Sequence, residues 1–279
     1  MTIRITTLSE NTVVAPRLLA EWGLSIHIET DEANVLLDTG QIMAAGYNAD
    51  VLGIELNKVD KMVISHGHHD HTGGLREVLP KMKRGIEVIA HPNIWEPKYG
   101  RRPGSDEGVY CGMPFQQLEL EKAGARFIET TEPVRITEYI TTTGEVPMVT
   151  DFEPVNQNLC IKENGKLVPD PLLDDQAIIL TTPEGLIIIL GCAHRGMINT
   201  IYHARNITGV DQVAMVIGGC HLTGASEERI WLTIGALKEM EVGRIGVSHC
   251  TGMPAAVIMA QEFGENFFFN NAGTRIELE

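Results

Sequence analysis

No stretch of the 279 residues stays apolar for the roughly 20 positions that a membrane-spanning helix needs, which argues against a membrane protein. Residues 1–7 alternate like a strand, where a secretory leader would carry a continuous apolar core. Cysteine is scarce: Cys111, Cys160, Cys192, Cys220 and Cys250 are an odd and widely spaced five. They do not make a disulfide framework, and we read a reducing, cytoplasmic setting, with Cys160 as a small buried apolar residue. Basic residues are short as well, 22 Lys and Arg against 37 Asp and Glu, for a net charge of −15. So acidic a surface repels a phosphate backbone, which argues against nucleic acid as a partner and against a nuclease. Lys81, Lys83 and Arg84 cluster, but read as a solvated helix end. No short-period repeat is present.

What is there is a chain long enough to bury a full core, in a size range where sandwiches and barrels form one domain. Strand-like runs at 3–8, 25–29, 34–37, 61–65 and 87–90 alternate with helical patterns at 42–56 and 74–79. Between about 92 and 155 the pattern breaks at Pro92, Pro97, Pro103, Gly104, Gly108, Gly112 and Pro114. This predicts a loop-rich insertion, with a short helix at 114–123, strand-like pieces in 126–140 and a place near the site or on the surface. Hairpins follow at 157–167, turning at Asn164-Gly165, and at 177–190, turning at Pro183-Glu184-Gly185. Helices at 197–205, 227–240 and 254–262 then alternate with strands at 212–217, 244–247, 266–269 and 274–278. The order suggests two packed sheets with helices outside, an α+β arrangement in a single domain over 1–279.

The chemistry concentrates in His66-Gly67-His68-His69-Asp70-His71-Thr72-Gly73-Gly74, directly after the apolar run Met62-Val63-Ile64. Imidazoles and a carboxylate so spaced suit zinc, manganese or iron, and a sharp turn lets His66 and His68 face one ion while Asp70 and His71 face a second. His69 fills a spacer position and points to solvent or to a supporting contact. A helix start at Arg195-Gly196, with the Arg beside free amides, is read either as an anion site or as a solvent-facing Arg; Thr72-Gly73-Gly74 offers similar amides. Cys192, Cys220 and Cys250 each lie beside a His at the end of an apolar strand. They either line the pocket with sulfur or, as we prefer, pack behind it.

His-x-His-x-Asp-His after a strand resembles the signature of the metallo-β-lactamase superfamily, and Val35-Leu36-Leu37-Asp38-Thr39-Gly40 resembles its other early motif. The resemblance implies a four-layer αββα sandwich in which Asp38 braces the metal loop without ligating. It also implies that His249, between a strand and a helix, is the last metal-binding His. Two departures stand out. The superfamily's Pro-Gly-His ligand has no counterpart, since Leu173-Asp174-Asp175-Gln176 occupies that place; its bridging Asp falls on Cys192. We take His194 as the replacement for the missing His and Cys192 as a bridging thiolate or a buried apolar residue. Asp174 and Asp175 are read as substitute ligands or, more simply, as exposed turn acids. His221 is a candidate substrate-binding or supporting residue.

Thr143-Gly144-Glu145-Val146-Pro147, Gly191-Cys192-Ala193-His194, Gly218-Gly219-Cys220-His221-Leu222 and Ser248-His249-Cys250-Thr251-Gly252 resemble the dihydropteroate-synthase-like branch. That branch implies either metal-dependent hydrolysis or condensation of a dihydropterin diphosphate with an aminobenzene-ribofuranosyl phosphate. Oxygen-reducing diiron relatives carry Glu where His68 stands and need a flavin module. The expectation is an enzyme with one or two divalent transition ions, zinc foremost, acting on a small anionic, phosphorylated molecule through metal-activated water, with Asp70 as the catalytic carboxylate and Arg195 on the substrate. A metal-assisted transferase and a non-catalytic metal sensor are the alternatives.

Overall fold

The computed structural model describes residues 2–102 and 107–279; Met1, Pro103 and Gly104 lie outside the described residues. Two mixed sheets face each other. The first has seven strands, in the order Arg275–Leu278, Ile3–Ser9, Ser25–Thr30, Asn34–Leu37, Lys61–Val63, Ile86–Ala90 and Ala125–Glu129. It is antiparallel as far as Asn34–Leu37 and parallel beyond. The second has six, in the order Phe267–Phe269, Arg244–Ser248, Val213–Gly219, Gly185–Leu190, Ala177–Thr182 and Ile140–Thr142, and is parallel over its first four.

Successive side chains on a strand point to opposite faces, so a strand buried on both sides reads as a continuous apolar run. Val35 and Leu37 enter the core between the sheets, while Leu36 turns outward to the layer beneath helix Ala44–Leu52. In the second sheet Ile187 and Ile189 point inward, and Ile188 and Leu190 pack against helices Met197–Thr208, Glu227–Glu239 and Met253–Phe263. The result is the four-layer αββα sandwich. The first helix is shorter than the pattern at 42–56, because Gly53 at φ 71° closes it.

The stretch 92–155 is not one insertion. Ala125–Glu129 and Ile140–Thr142 are edge strands of the two sheets, and helix Gln117–Ala123 covers the first. Proline and glycine break the local pattern, but sheet pairing recruits these short pieces from outside any local window. What stands apart is a small sheet in which Lys98–Arg101 pairs with Gly108–Tyr110 and with the hairpin Leu159–Glu163/Lys166–Pro169.

The arrangement places a series of side chains at the C-terminal ends of parallel strands. Asp38 follows Asn34–Leu37, the histidine loop follows Lys61–Val63, Cys192 follows Gly185–Leu190, His221 follows Val213–Gly219 and His249 follows Arg244–Ser248. In open α/β sheets this is the end at which ligands bind.

Candidate metal centre

The histidine loop is anchored from below by one carboxylate. Asp38 is fully buried, accepts Ser65 N–H at 2.7 Å on Oδ1, and takes Ser65 Oγ and His71 Nδ1, each at 2.6 Å, on Oδ2. Ser65 Oγ donates to Asp38, so the contact between His66 Nδ1 and Ser65 Oγ at 2.9 Å makes Nδ1 the donor. His249 Nδ1 likewise donates to Asn11 Oδ1 at 2.9 Å. In all three rings Nδ1 is committed outward, which aims each Nε2 into the site, the arrangement that outer hydrogen bonds impose on metal-ligating histidines.

Those nitrogens converge. His66 Nε2 lies 3.1 Å from His194 Nε2, His71 Nε2 3.1 Å from Cys192 Sγ, and His249 Nε2 3.1 Å from Asp70 Oδ2. His66, Cys192 and His194 offer ligand atoms all within 4.8 Å of one another, and His71, Cys192 and His249 do the same, so Cys192 belongs to both groups. His68 joins the first side, its ring 4.7 Å from His66 and 4.9 Å from His194. His66 Nε2 faces His194 Nε2 at 3.1 Å, and His68 Nε2 and His194 Nδ1 are buried without a partner, so the cluster holds more imidazole nitrogens than the protein itself satisfies. Zinc–nitrogen and zinc–sulfur bonds of ~2.0–2.3 Å put neighbouring ligands ~3.3–3.8 Å apart, so these residues fit transition ions.

The electrostatics agree with that fit. Burial pushes His66 and His194 well below the usual imidazole value and His68 to about 3, so these rings are neutral donors. Burial also opposes charge on His71, but Asp38 and Asp70 lift it to about 9, so without metal its Nε2 holds a proton that a bound ion would displace. Burial opposes charge on Asp70 too; the hydrogen bond to His249 and the nearby His71 outweigh it and hold the carboxyl ionised. Burial pushes the Cys192 thiol up, and only a cation offsets that.

Several expectations are corrected. Asp174 and Asp175 are neither ligands nor exposed: both are buried. Asp174 accepts Gly67 N–H at 2.8 Å and the Lys98 ammonium at 2.9 Å, while Asp175 accepts Arg195 N–H at 2.9 Å. The anion expected at Arg195-Gly196 is supplied by the chain, since Glu153 accepts Ile198 N–H at 3.0 Å and Asn199 N–H at 2.9 Å. The Arg195 guanidinium donates to the carbonyls of Val146 and Pro171, so it ties loops together and is not poised for a substrate. Gly73-Gly74 presents no free amides either; Gly73 N–H bonds to His69 O and Gly74 N–H to Gly40 O. These glycines are needed because a Cβ would sit 1.9 Å from Gln41 O at one and 2.0 Å from Thr39 O at the other. His69 bonds to Cys111 O through both its N–H and Nδ1, away from the site. Cys220 packs its sulfur 3.5 Å from Met197 Sδ, whereas Cys192 and Cys250 face the site. His221 sits at its edge, its ring 4.2 Å from that of His194.

Four supporting residues escaped the sequence reading. Trp22 Nε1 donates to Asp70 Oδ2 at 3.0 Å, and its ring meets His249 edge-on at 5.0 Å. Glu10 accepts His249 N–H at 2.7 Å, Asn11 orients the His249 ring, and buried Lys98 bridges Asp170 and Asp174. Nothing in the local sequence marks them, because each acts on a residue far along the chain.

Comparison with known proteins agrees with this geometry. The family model of the metallo-beta-lactamase superfamily matches residues 23–204. A 7,8-dihydropterin-6-methyl-4-(beta-D-ribofuranosyl)-aminobenzene-5'-phosphate synthase of Methanocaldococcus jannaschii is 34% identical over 271 residues, covering 92% of this chain and 90% of the relative. An uncharacterized protein of the same organism is 32% identical, covering 92% of this chain and 93% of that one. The crystal structure of Tm1679, described as a metal-dependent hydrolase of the beta-lactamase superfamily, superposes with a TM-score of 0.84 at 26% identity, covering 99% of both chains. A histidine loop on an Asp38 brace, the αββα sandwich around it and a family match over most of the chain have one reading: the chain belongs to the metallo-beta-lactamase superfamily.

Proposed function

We propose that this protein is a metal-dependent hydrolase acting on a small substrate whose anionic, phosphorylated group is held at the metal centre. The observation that carries the proposal is the pair of donor groups sharing Cys192. His66, His68, His194 and Cys192 would hold one ion, and Asp70, His71, His249 and Cys192 a second. Bound there, such ions supply Lewis acidity and lower the pKa of a bound water towards ~7. The chain's own residues do the rest. Asp38 and Ser65 fix the tautomers of His71 and His66, and Asn11 fixes that of His249. Asp70, held ionised, would help hold the second ion and orient the attacking water, and Trp22 fixes its Oδ2.

A cleft of about 340 Å³ opens beside His249 and Trp22. Val247, Met253, Pro254 and Phe269 give it apolar walls, Glu10, Asn11, Thr12 and Asn271 a polar rim, and among the described residues no Lys or Arg lines it. This division supports a substrate whose apolar body lies in the cleft while its charge meets the metals, in place of the Arg195 contact expected from sequence. The 34% identity to a synthase favours a second reading, in which the same centre grips a diphosphate leaving group during condensation.

The test is elemental analysis of the wild type and of the His66→Ala/His68→Ala double variant, followed by a screen of phosphoesters, lactones and pterin diphosphates. We expect the double variant to lose metal and turnover together. Unchanged metal content overturns the proposed centre; preference for a neutral lactone overturns the anionic substrate; a condensed product without net hydrolysis selects the second reading.

A further inference from the structure

Beyond the two donor groups used above, a third lies on the side of the site formed by the second sheet. Cys192, His221 and Cys250 offer ligand atoms all within 4.8 Å of one another. Each comes from a different strand end, so the sheet itself assembles the group. Cys250 is buried, and its sulfur accepts His221 N–H at 3.3 Å and lies 3.6 Å from the carbonyl of Cys192. His221 Nδ1 is buried without a partner.

The backbone is shaped around this sulfur. A Cβ on Gly219 would stand 2.6 Å from Cys250 Sγ, so only glycine in Gly218-Gly219-Cys220-His221 leaves room for it. His221 and His249, which flank the sulfur, both adopt left-handed φ, 43° and 49°, and Ala193, next to Cys192, adopts 48°. Three non-glycine residues in this sparsely populated region, gathered around one cluster, cost conformational energy that the packing sustains.

We propose that Cys192, His221 and Cys250 form a further cation position, adjoining the pair assigned to the histidine loop at Cys192 and selective for a thiophilic divalent ion such as Zn²⁺. Two sulfurs and one imidazole are a soft donor set, unlike the imidazole-dominated set around His66 and His68. The inference rests on the proposed metal centre only through Cys192, which both would share.

The experiment uses the full-length protein loaded with Co²⁺. It records metal stoichiometry and near-ultraviolet sulfur-to-cobalt charge-transfer absorption for the wild type, Cys250→Ser, His221→Asn and Cys220→Ser. Cys250→Ser is expected to lose about one equivalent of metal and about half of the charge-transfer intensity, because one of two thiolate donors is gone. His221→Asn is expected to lose the same equivalent while the histidine-loop ions remain, and it carries the test if Cys250→Ser unfolds. Cys220→Ser, whose sulfur faces Met197, should match the wild type. Wild-type stoichiometry and spectrum in Cys250→Ser, or in His221→Asn, overturn the proposal, as does an equal loss in Cys220→Ser. Metal retained in His66→Ala/His68→Ala but lost in Cys250→Ser would refute the hydrolytic centre and leave this position standing.

Discussion

Asp38→Asn isolates the charge of one brace while keeping its shape. In the wild type, Oδ1 accepts Ser65 N–H, and Oδ2 takes both Ser65 Oγ and His71 Nδ1 at 2.6 Å. Asparagine retains the first contact but places an amide NH₂ where Oδ2 stood, or the reverse after a flip. An NH₂ facing His71 requires Nδ1 to accept, which moves the ring proton to Nε2. That is the nitrogen 3.1 Å from Cys192 Sγ, and once protonated it has no lone pair for a metal. A hydrogen bond to a charged group contributes about 1.5–3 kcal/mol, and a chain near this size shifts its Tm by about 2–4 °C per kcal/mol, so the metal-free variant should melt about 3–12 °C lower. The effect on metal should be larger in proportion, with affinity falling about 10–100-fold, as for other residues that orient metal-bound histidines. Thermal unfolding of the metal-free protein and titration against a competing chelator separate the two quantities. A variant with lowered Tm but wild-type metal affinity would refute the tautomer argument and reduce Asp38 to a packing residue.

Buried His27 is held near pKa about 4 by burial, against 6.5 for the free group. The unfolded chain therefore binds its proton first: stability is intact above pH ~6.5 and falls as pH drops towards 4, by about 3 kcal/mol. Chemical denaturation at pH 7 and pH 4 should show His27→Asn losing about that much less than the wild type; equal losses would show that His27 does not titrate in this window. Lys98→Met strands Asp170 and Asp174 in the interior and should destabilise by about 3–5 kcal/mol, with partial recovery on adding Asp174→Asn. A loss below about 1 kcal/mol would mean that the aspartates accept protons without cost. Arg195→Ala should lower Tm and leave the ratio of KM values for phosphorylated and neutral substrates unchanged, because its guanidinium binds two carbonyls. A KM increase confined to phosphorylated substrates would return it to the substrate.

How far these features can be read from sequence depends on how locally each is determined. The histidine loop is legible because its donors sit within six residues behind an apolar strand. The doubly buried strands are legible because their apolar runs are continuous, as in Gly185–Leu190. The edge strands Ala125–Glu129 and Ile140–Thr142 are not, since each is fixed by a partner far along the chain, Ile86–Ala90 for one and Ala177–Thr182 for the other. The same reason hides Lys98, whose role depends on Asp170 and Asp174 arriving from 72 and 76 residues away. Arg195 was misread for a related cause. A helix start beside an Arg does attract an anion, but sequence cannot reveal that Glu153 already occupies it.

A single tendency connects these corrections. Acidic residues are plentiful here, yet near the site most of them brace and few face inward. Asp38 holds the loop, Asp174 takes Lys98 and Gly67, Asp175 takes Arg195 N–H, Glu10 takes His249 N–H and Glu153 caps a helix. Asp70 alone among them stands against the ligand-type nitrogens, within 3.1 Å of His249 Nε2. Where the superfamily resemblance leads one to expect a second inward carboxylate, Cys192 supplies sulfur, and Cys250 stands beside it. Each carboxylate used as a brace is satisfied by backbone N–H groups, by a histidine or by Lys98, and does not point into the site as a ligand. A sulfur at the Cys192 position makes a softer donor set than the carboxylate expected there.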